Sequence, residues 1–210
     1  MPLVLTVSPE PRRRRVHVTL DDGRTYAVHE DAAAKAGVHA GREISEAELE
    51  ALLGASALRS CLDAASRFLK VRPRSEAELK QRLVRLKHAP EVVDQAVARL
   101  REENLVSDAT FAGFWTENRE AFNPRSKRLV ESELIRKGVS RPVIEQMTQG
   151  IDDDSSAYDA ATKKLRTLSG LDFETFRRRL GAYLQRRGFD YEVTRRAVKR
   201  LWEESQGKGG

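Results

Sequence analysis

A chain of 210 residues with 38 Lys and Arg against 32 Asp and Glu carries a formal charge of +6, and 33% of its residues are charged. At roughly 100–200 residues per domain this is one domain or two small ones, and a mean hydropathy of -0.58 implies much exposed helix face. No apolar run nears the ~18 residues of a membrane span. In the opening MPLVLTVSPEPRRRR the charges follow the apolar stretch, the reverse of a secretory signal. Cys61 is the sole cysteine, so neither an intrachain disulfide nor a cysteine-rich metal site can form. The expected setting is the cytoplasm. The charge calls for an anionic partner, either nucleic acid or an acidic protein surface.

Residues 3–29 predict three antiparallel strands. Leu3, Leu5 and Val7 alternate with polar or small neighbours, as do Val16, Val18 and Leu20, and then Tyr26 and Val28. Asp22-Gly23 between the last two runs is a strong hairpin signal, while Pro9 and Pro11 mark the earlier connection. A short helix over 30–36 stops at Gly37, and Ser45-Glu46-Ala47-Glu48 reads as a capping box. From there to Trp202 every signal is helical.

An internal repeat organises the helices. Leu83-Val-Arg-Leu-Lys87, Leu134-Ile-Arg-Lys-Gly138 and Leu184-Gln-Arg-Arg-Gly188 superimpose at offsets of 51 and 50 residues, each followed by a turn and then by Val92-Val93, Val143-Ile144 or Val193-Thr194. Such a period predicts three copies of a supersecondary unit that bury their faces against one another. In the first copy a helix over about 56–70 precedes one opening at the Ser75 to Glu78 capping box, with Leu79, Leu83 and Leu86 inward, and one opening at Pro90, with Val92, Val93, Ala96, Val97 and Leu100 inward. In the second copy Phe111, Phe114, Trp115 and Asn118 share a face, Pro124 precedes the next helix, and Gly138 ends it as a left-handed cap. In the third, Tyr158, Ala161, Leu165 and Leu168 form one stripe and Phe173, Phe176, Leu180 and Leu184 another; Gly188 stops that helix and Asp190 caps the last. The expected fold is mainly α: three tandem three-helix repeats in an elongated arc, preceded by a small three-stranded antiparallel β module. The boundaries fall at 1–54, 55–106, 107–153 and 154–205, with 206–210 a disordered tail.

Catalytic signals are missing. There is no G-x-x-x-x-G-K-[ST] loop and no G-x-G-x-x-G after a strand. His17, His29, His39 and His88 are scattered without metal-ligand spacing. Cys61, among Leu58, Leu62 and Ala65, reads as a small buried apolar residue. Asp152-Asp153-Asp154 lacks the alternating ligands of a calcium loop and reads as helix N-terminal charge. A binding protein without cofactor or metal is expected.

Basic residues gather in stripes. Arg195, Arg196, Lys199 and Arg200 share a face of the last helix, and Arg177-Arg178-Arg179 and Arg186-Arg187 lie on the one before it. Arg72, Arg74, Lys80 and Lys87 attend the second helix of the first copy, and Arg125, Lys127, Arg128, Arg136 and Lys137 that of the second. Glu76, Glu78, Glu91, Glu131, Glu133, Glu203 and Glu204 dilute the field. Phe111, Phe114 and Trp115 can stack on bases, although their common face fits packing better. A trihelical DNA reader is the tempting alternative, but Pro90-Glu91, Ser140-Arg141-Pro142 and Asp190-Tyr191-Glu192 open the third helices with acidic or capped residues where operator readers carry Arg, Asn or Gln.

Arg74-Ser-Glu-Ala-Glu-Leu79 resembles the opening of the first repeat of the RecX regulatory family. Leu105-Val-Ser-Asp108 with Phe111-Ala112, Trp115 and Arg119 resembles its second, and Glu133-Leu-Ile-Arg-Lys-Gly138-Val139 the signature that follows. The N-terminal hairpin, ending in Gly41-Arg-Glu-Ile-Ser-Glu46, is similar to the β extension of many members, so the resemblance runs from residue 1 to about 204. Two departures stand out: Lys87 where the first repeat usually has glycine, and Asn123-Pro124-Arg125-Ser126 in place of a glycine-containing connection. The resemblance implies a modulator of the RecA recombinase that binds the RecA–single-strand DNA filament as a monomer, with weak nonspecific DNA binding and no membrane contact. It would restrain filament extension, ATP hydrolysis, strand exchange and repressor cleavage. On this reading Arg72, Arg74, Lys80, Trp115, Arg119, Arg125, Lys127, Arg128 and Lys137 are the expected partner-facing or supporting residues. Arg177, Arg178, Arg186, Arg195, Arg196 and Lys199 are the expected nucleic-acid contacts. A stand-alone DNA-binding protein of tandem trihelical modules and an unrelated helical scaffold are the alternatives.

Overall fold

The structure, a computed structural model, describes residues 1–207. Strands β1 (Val4–Pro9), β2 (Arg15–Leu20) and β3 (Thr25–His29) pair antiparallel in that order. The alternation read from the sequence holds for β2 and β3, where Val18, Leu20 and Val28 point inward with no exposure. In β1 the face is not the expected one, since Val4 is fully buried while Leu5 is 49% exposed and the register shifts between Val4 and Thr6. The outer edge of β1 is covered: Gly41 N–H donates to Val4 O (2.8 Å), Val4 N–H to Arg42 O (2.9 Å) and Ile44 N–H to Pro2 O (2.9 Å). An edge closed by its own chain is no template for further strands.

Helix α1 (Glu30–Lys35) starts on His29, whose Nδ1 accepts from Asp31 N–H (3.1 Å). Helix α2 (Glu46–Leu69) begins with the capping box: Ser45 Oγ accepts from Glu48 N–H, and Glu48 accepts from Ser45 N–H at 2.8 Å. It then runs unbroken for 24 residues. The sequence reads a module boundary at 54/55, but the helix passes through Gly54, so the packing helix of the β module and the first helix of the first repeat are one. A lone glycine costs about 1 kcal/mol in a helix interior. On the far side of it, buried Ser56 Oγ accepts from His29 N–H (2.7 Å), tying the helix to β3.

The repeats follow. Helices α3 (Glu76–Arg85) and α4 (Pro90–Glu102) complete the first, α5 (Asp108–Phe122), α6 (Lys127–Arg136) and α7 (Arg141–Thr148) form the second, and α8 (Asp153–Leu165), α9 (Phe173–Arg186) and α10 (Tyr191–Gly207) the third. Among the described residues there are thus ten helices and three strands. Helix α10 continues two residues into the segment expected to be a tail, and 208–210 lie outside the described residues. Each repeat has its own core, built around Leu79, Leu83, Val97 and Leu100, around Phe111, Val130, Leu134 and Ile144, and around Phe176, Leu180, Leu184 and Leu201. Burying a side chain of this size contributes about 1.5–3 kcal/mol. Leu86, expected inward, is 43% exposed, because the chain turns out of α3 at the next residue.

That turn recurs. Lys87, Gly138 and Gly188 occupy equivalent positions with φ of 68°, 81° and 90°. Lys87 therefore keeps the left-handed turn that its departure from glycine put in question, against a steric cost of about 1–2 kcal/mol.

Two compact units emerge: residues 1–74 with 78–106, and 75–77 with the described residues from 107 on. Within the second, one joint appears twice. Ser75 Oγ donates to Lys137 O (2.7 Å), and Asp108 Oδ1 accepts from Glu76 N–H (2.9 Å). At the equivalent places Ser126 N–H donates to Arg187 O (3.1 Å), and Asp153 Oδ1 accepts from Lys127 N–H (2.7 Å). In each case an aspartate at the start of one repeat's first helix caps the preceding repeat's second helix, where its carboxylate also meets the positive end of the helix dipole.

Candidate partner-binding surface

Three of the expected partner residues converge on one acid in the second repeat, and a fourth, Lys137, lies against the Trp115 ring. Trp115 and Arg119 lie one turn apart on α5, and Glu133 and Lys137 one turn apart at the end of α6. Glu133, 6% exposed, accepts from Trp115 Nε1 (2.8 Å), from Arg119 Nε (2.8 Å) and from the Arg125 guanidinium. Above the indole, the Arg119 guanidinium lies 4.4 Å and the Lys137 ammonium 5.2 Å from the ring centroid, cation–π distances. Phe111, fully buried, packs against Trp115 with ring centroids 5.7 Å apart. The aromatic group is therefore packing, as its helical face implies, and Trp115 also orients the cations. A buried carboxylate with three donors holds Arg119 and Arg125 in fixed geometry, and the constellation of Arg119, Arg125, Lys137 and Glu133 keeps a net positive charge.

The remaining expected partner residues are dispersed. Arg72 pairs with Glu78 (3.3 Å) and donates to Pro73 O (2.8 Å). Arg74 lies 4.0 Å over the Phe68 ring; burial first, then the charge of Arg72, lowers its pKa, which Glu78 partly offsets. Lys80 is held by Asp94 at 2.7 Å. Lys127 takes part through its backbone cap, and Arg128 is exposed without an acidic partner among the described residues. The Asn123 to Ser126 connection becomes part of the joint to the third repeat: Arg187 donates to Asn123 Oδ1 and to Pro124 O (2.9 Å), and Ser126 Oγ caps α6.

In the third repeat the basic stripe on α10 is balanced locally. Arg195 meets Glu192 (2.7 Å), Arg196 clamps Asp154 with two bonds (2.7 and 2.8 Å), Lys199 meets Glu203 (3.8 Å) and Arg200 meets Glu204 (2.9 Å). Arg177 on α9 likewise meets Glu174 (2.7 Å). Arg178 and Arg186 differ. With Arg179, Lys164 and Tyr183 they line a groove of about 450 Å³ whose walls contain no carboxylate. Lys164 and Arg187 sit 5.8 and 4.6 Å from the Tyr183 ring centroid. Uncompensated guanidinium groups around an aromatic ring suit a phosphate chain with exposed bases.

Two readings of absent chemistry gain physical detail. Asp152 caps α8, Asp153 caps α6 and Asp154 holds Arg196, so each acid of the run has a protein partner. Burial drives the Cys61 thiol up to about 11, which keeps it protonated at neutral pH. In the sequence Glu133 dilutes positive charge and opens the Glu133 to Val139 signature; its role as the shared acceptor of three donors comes from the structure.

Fold and surface together define a protein of tandem three-helix repeats presenting rigidly held cations. Models of the first, second and third three-helix domains of RecX match residues 61–100, 107–147 and 152–198. The chain belongs to the RecX family. A regulatory protein RecX of Chlorobaculum tepidum is 35% identical over 147 residues, which cover 70% of this chain and 91% of that one. One of Listeria welshimeri is 25% identical over 159 residues, and there the match covers 76% of this chain but 59% of the longer relative. Among solved structures, a crystal structure of regulatory protein RecX has a TM-score of 0.67 at 17% identity, covering 92% of this chain and 97% of that one. RecX from Lactobacillus salivarius has a TM-score of 0.59 at 17% identity, with coverage of 70% and 97%. These two share the fold. No helix among the described residues is long and apolar enough to cross a membrane.

Proposed function

We propose that this chain regulates the RecA recombinase in the cytoplasm by binding the RecA–single-strand DNA filament as a monomer, altering filament growth, ATP hydrolysis and strand exchange by occupancy and not by chemistry. The observation that carries the reading is the cationic constellation of Trp115, Arg119, Arg125 and Lys137 around Glu133, within a chain whose relatives are named regulatory proteins. Pre-orienting those groups lowers the entropic cost of docking them on an acidic surface. Contacts made in series by successive repeats gain through effective concentration, so none needs to be strong alone.

The carboxylate-free groove of Arg178, Arg179 and Arg186 supports a direct contact with nucleic acid as part of the same function. It also favours, as second reading, a DNA-binding protein that acts without RecA. One assay separates the two: ATP hydrolysis by RecA on single-stranded DNA, measured as this protein is added. The expected result is inhibition at micromolar protein. Unchanged hydrolysis, together with tight sequence-selective duplex binding in a gel shift, overturns the RecA reading in favour of the second.

A further inference from the structure

Residues 1–60 lie before the first matched RecX domain and contain Arg12-Arg13-Arg14-Arg15, which the function above leaves unused. Arg12 to Arg14 lie in the β1–β2 connection and Arg15 opens β2. Arg12 sits at φ 66°, a left-handed conformation where glycine or asparagine is the undemanding choice. Arg13 pairs with Glu10 (3.3 Å). Arg14 is spent internally: it meets Glu30 (2.7 Å), Asp31 (3.1 Å) and Asp63 of α2 (3.4 Å), which clamps the loop to the helices.

Arg15 is different. It opens β2 in register with His29, which itself contacts Asp63 (3.1 Å). Arg67 follows Asp63 by one turn of α2, while the Asp63 carboxylate is taken by Arg14, His29 and Arg59. His88, after α3, lies near both: burial first, then the charges of Arg15 and Arg67, hold its imidazole below the ordinary histidine range, and no carboxylate counters them. Arg15, Arg67 and Lys87 are exposed. None of the three has an acidic partner among the described residues. Elsewhere Arg24, Arg42, Arg99, Arg177, Arg195 and Arg196 each have one. Arg15 lies across the ladder from His29, and Arg67 lies one turn beyond the Asp63 that His29 contacts, so two like charges from β2 and α2 face the same side without an acid of their own and disfavour one another until an anion intervenes.

We infer that Arg15 and Arg67 form a phosphodiester-binding site where β2 meets α2, separate from the groove of the third repeat. The inference does not rest on the RecA reading, and its test omits RecA. Binding of the full-length protein to 5′-fluorescein-labelled oligothymidine and to a labelled duplex is followed by anisotropy from 50 to 200 mM salt. Each phosphate contact contributes about 0.7 to the log–log salt slope on single strands and about 0.9 on duplex. The variant Arg15→Gln/Arg67→Gln is expected to bind roughly three- to tenfold more weakly at low salt and to lower the slope by about 1.4 on single strand or about 1.8 on duplex. The larger loss identifies the preferred form. Arg15→Lys/Arg67→Lys, which keeps both charges, is expected to retain the slope, a rescue that a folding defect would not show. If the Gln variant matches the wild type in affinity and slope, or if the wild type binds neither probe at 50 mM salt, the site does not exist.

Discussion

Replacing Glu133 with Gln is expected to lower the free energy of unfolding by about 3 kcal/mol, the scale of breaking a buried ion pair from one side. The amide is nearly isosteric, so the loss is electrostatic. Glu133 accepts three donors at once, two of them guanidinium groups. A glutamine presents one acceptor oxygen and an NH₂ that must face another donor, leaving Arg119 and Arg125 uncompensated beside a side chain that is 7% exposed. The measurement is a urea midpoint at constant m-value, with Glu145→Gln as the control. Glu145 is an exposed acid on α7, and its neutralisation is expected to stay within about 0.5 kcal/mol. Equal midpoints for the two variants would show that Glu133 holds nothing together. The indole N–H of Trp115 exchanges a carboxylate acceptor for an amide in the same variant, so its fluorescence is expected to change in the folded state, before unfolding.

Gly188→Ala should cost about 2–4 kcal/mol, and the reason is the repeat joint. The left-handed backbone accounts for about 1 kcal/mol with a β-carbon present. The added methyl would also lie 2.9 Å from Leu129 Cβ and against Ser126 Oγ at the start of α6, and overpacking of this kind adds about 1–3 kcal/mol. Gly170 separates the two contributions. Its φ is 75°, but a β-carbon there meets nothing within 4 Å, so Gly170→Ala is expected to show the backbone cost alone. Gly138 repeats the arrangement one joint earlier, with Ala77 Cβ 2.5 Å from the new atom. Equal destabilisation at 170 and 188 would mean that the joint is not close-packed.

These two cases show which features of the molecule were legible in the sequence. Local rules found what local geometry decides. Period-2 alternation located β1 to β3, although in β1 the register shift after Val4 goes with a buried Val4 and an exposed Leu5, not the face it implied. The Ser45 box placed the start of α2, and the aligned Lys87, Gly138 and Gly188 placed three helix ends. The helix continuity at Gly54 was not legible, because a glycine there looks like a boundary and only the bond from His29 N–H to Ser56 Oγ shows why the helix persists. Leu86 continues an apolar spacing that the turn at Lys87 cuts short.

The surface was the harder part. Basic stripes are visible in a sequence, but their compensation is not: Arg196 and Asp154 are 42 residues apart and form a two-bond clamp. Separations of 18, 14 and 8 residues likewise hid Glu133 as the acceptor shared by Trp115, Arg119 and Arg125, since in composition it counts only as a negative charge. Conversely, Arg178 and Arg186 line a groove without a carboxylate, while the nearby Glu174 is paired with Arg177. Charge counts thus locate cations, while packing decides which of them a partner meets bare.

Electron microscopy of RecA polymerised on single-stranded DNA in the presence of this protein bears most directly on occupancy as the mode of action. The account predicts added density on the filaments, with their length reduced as the protein concentration rises. Bare filaments of unchanged length, with the protein left in solution, would contradict it.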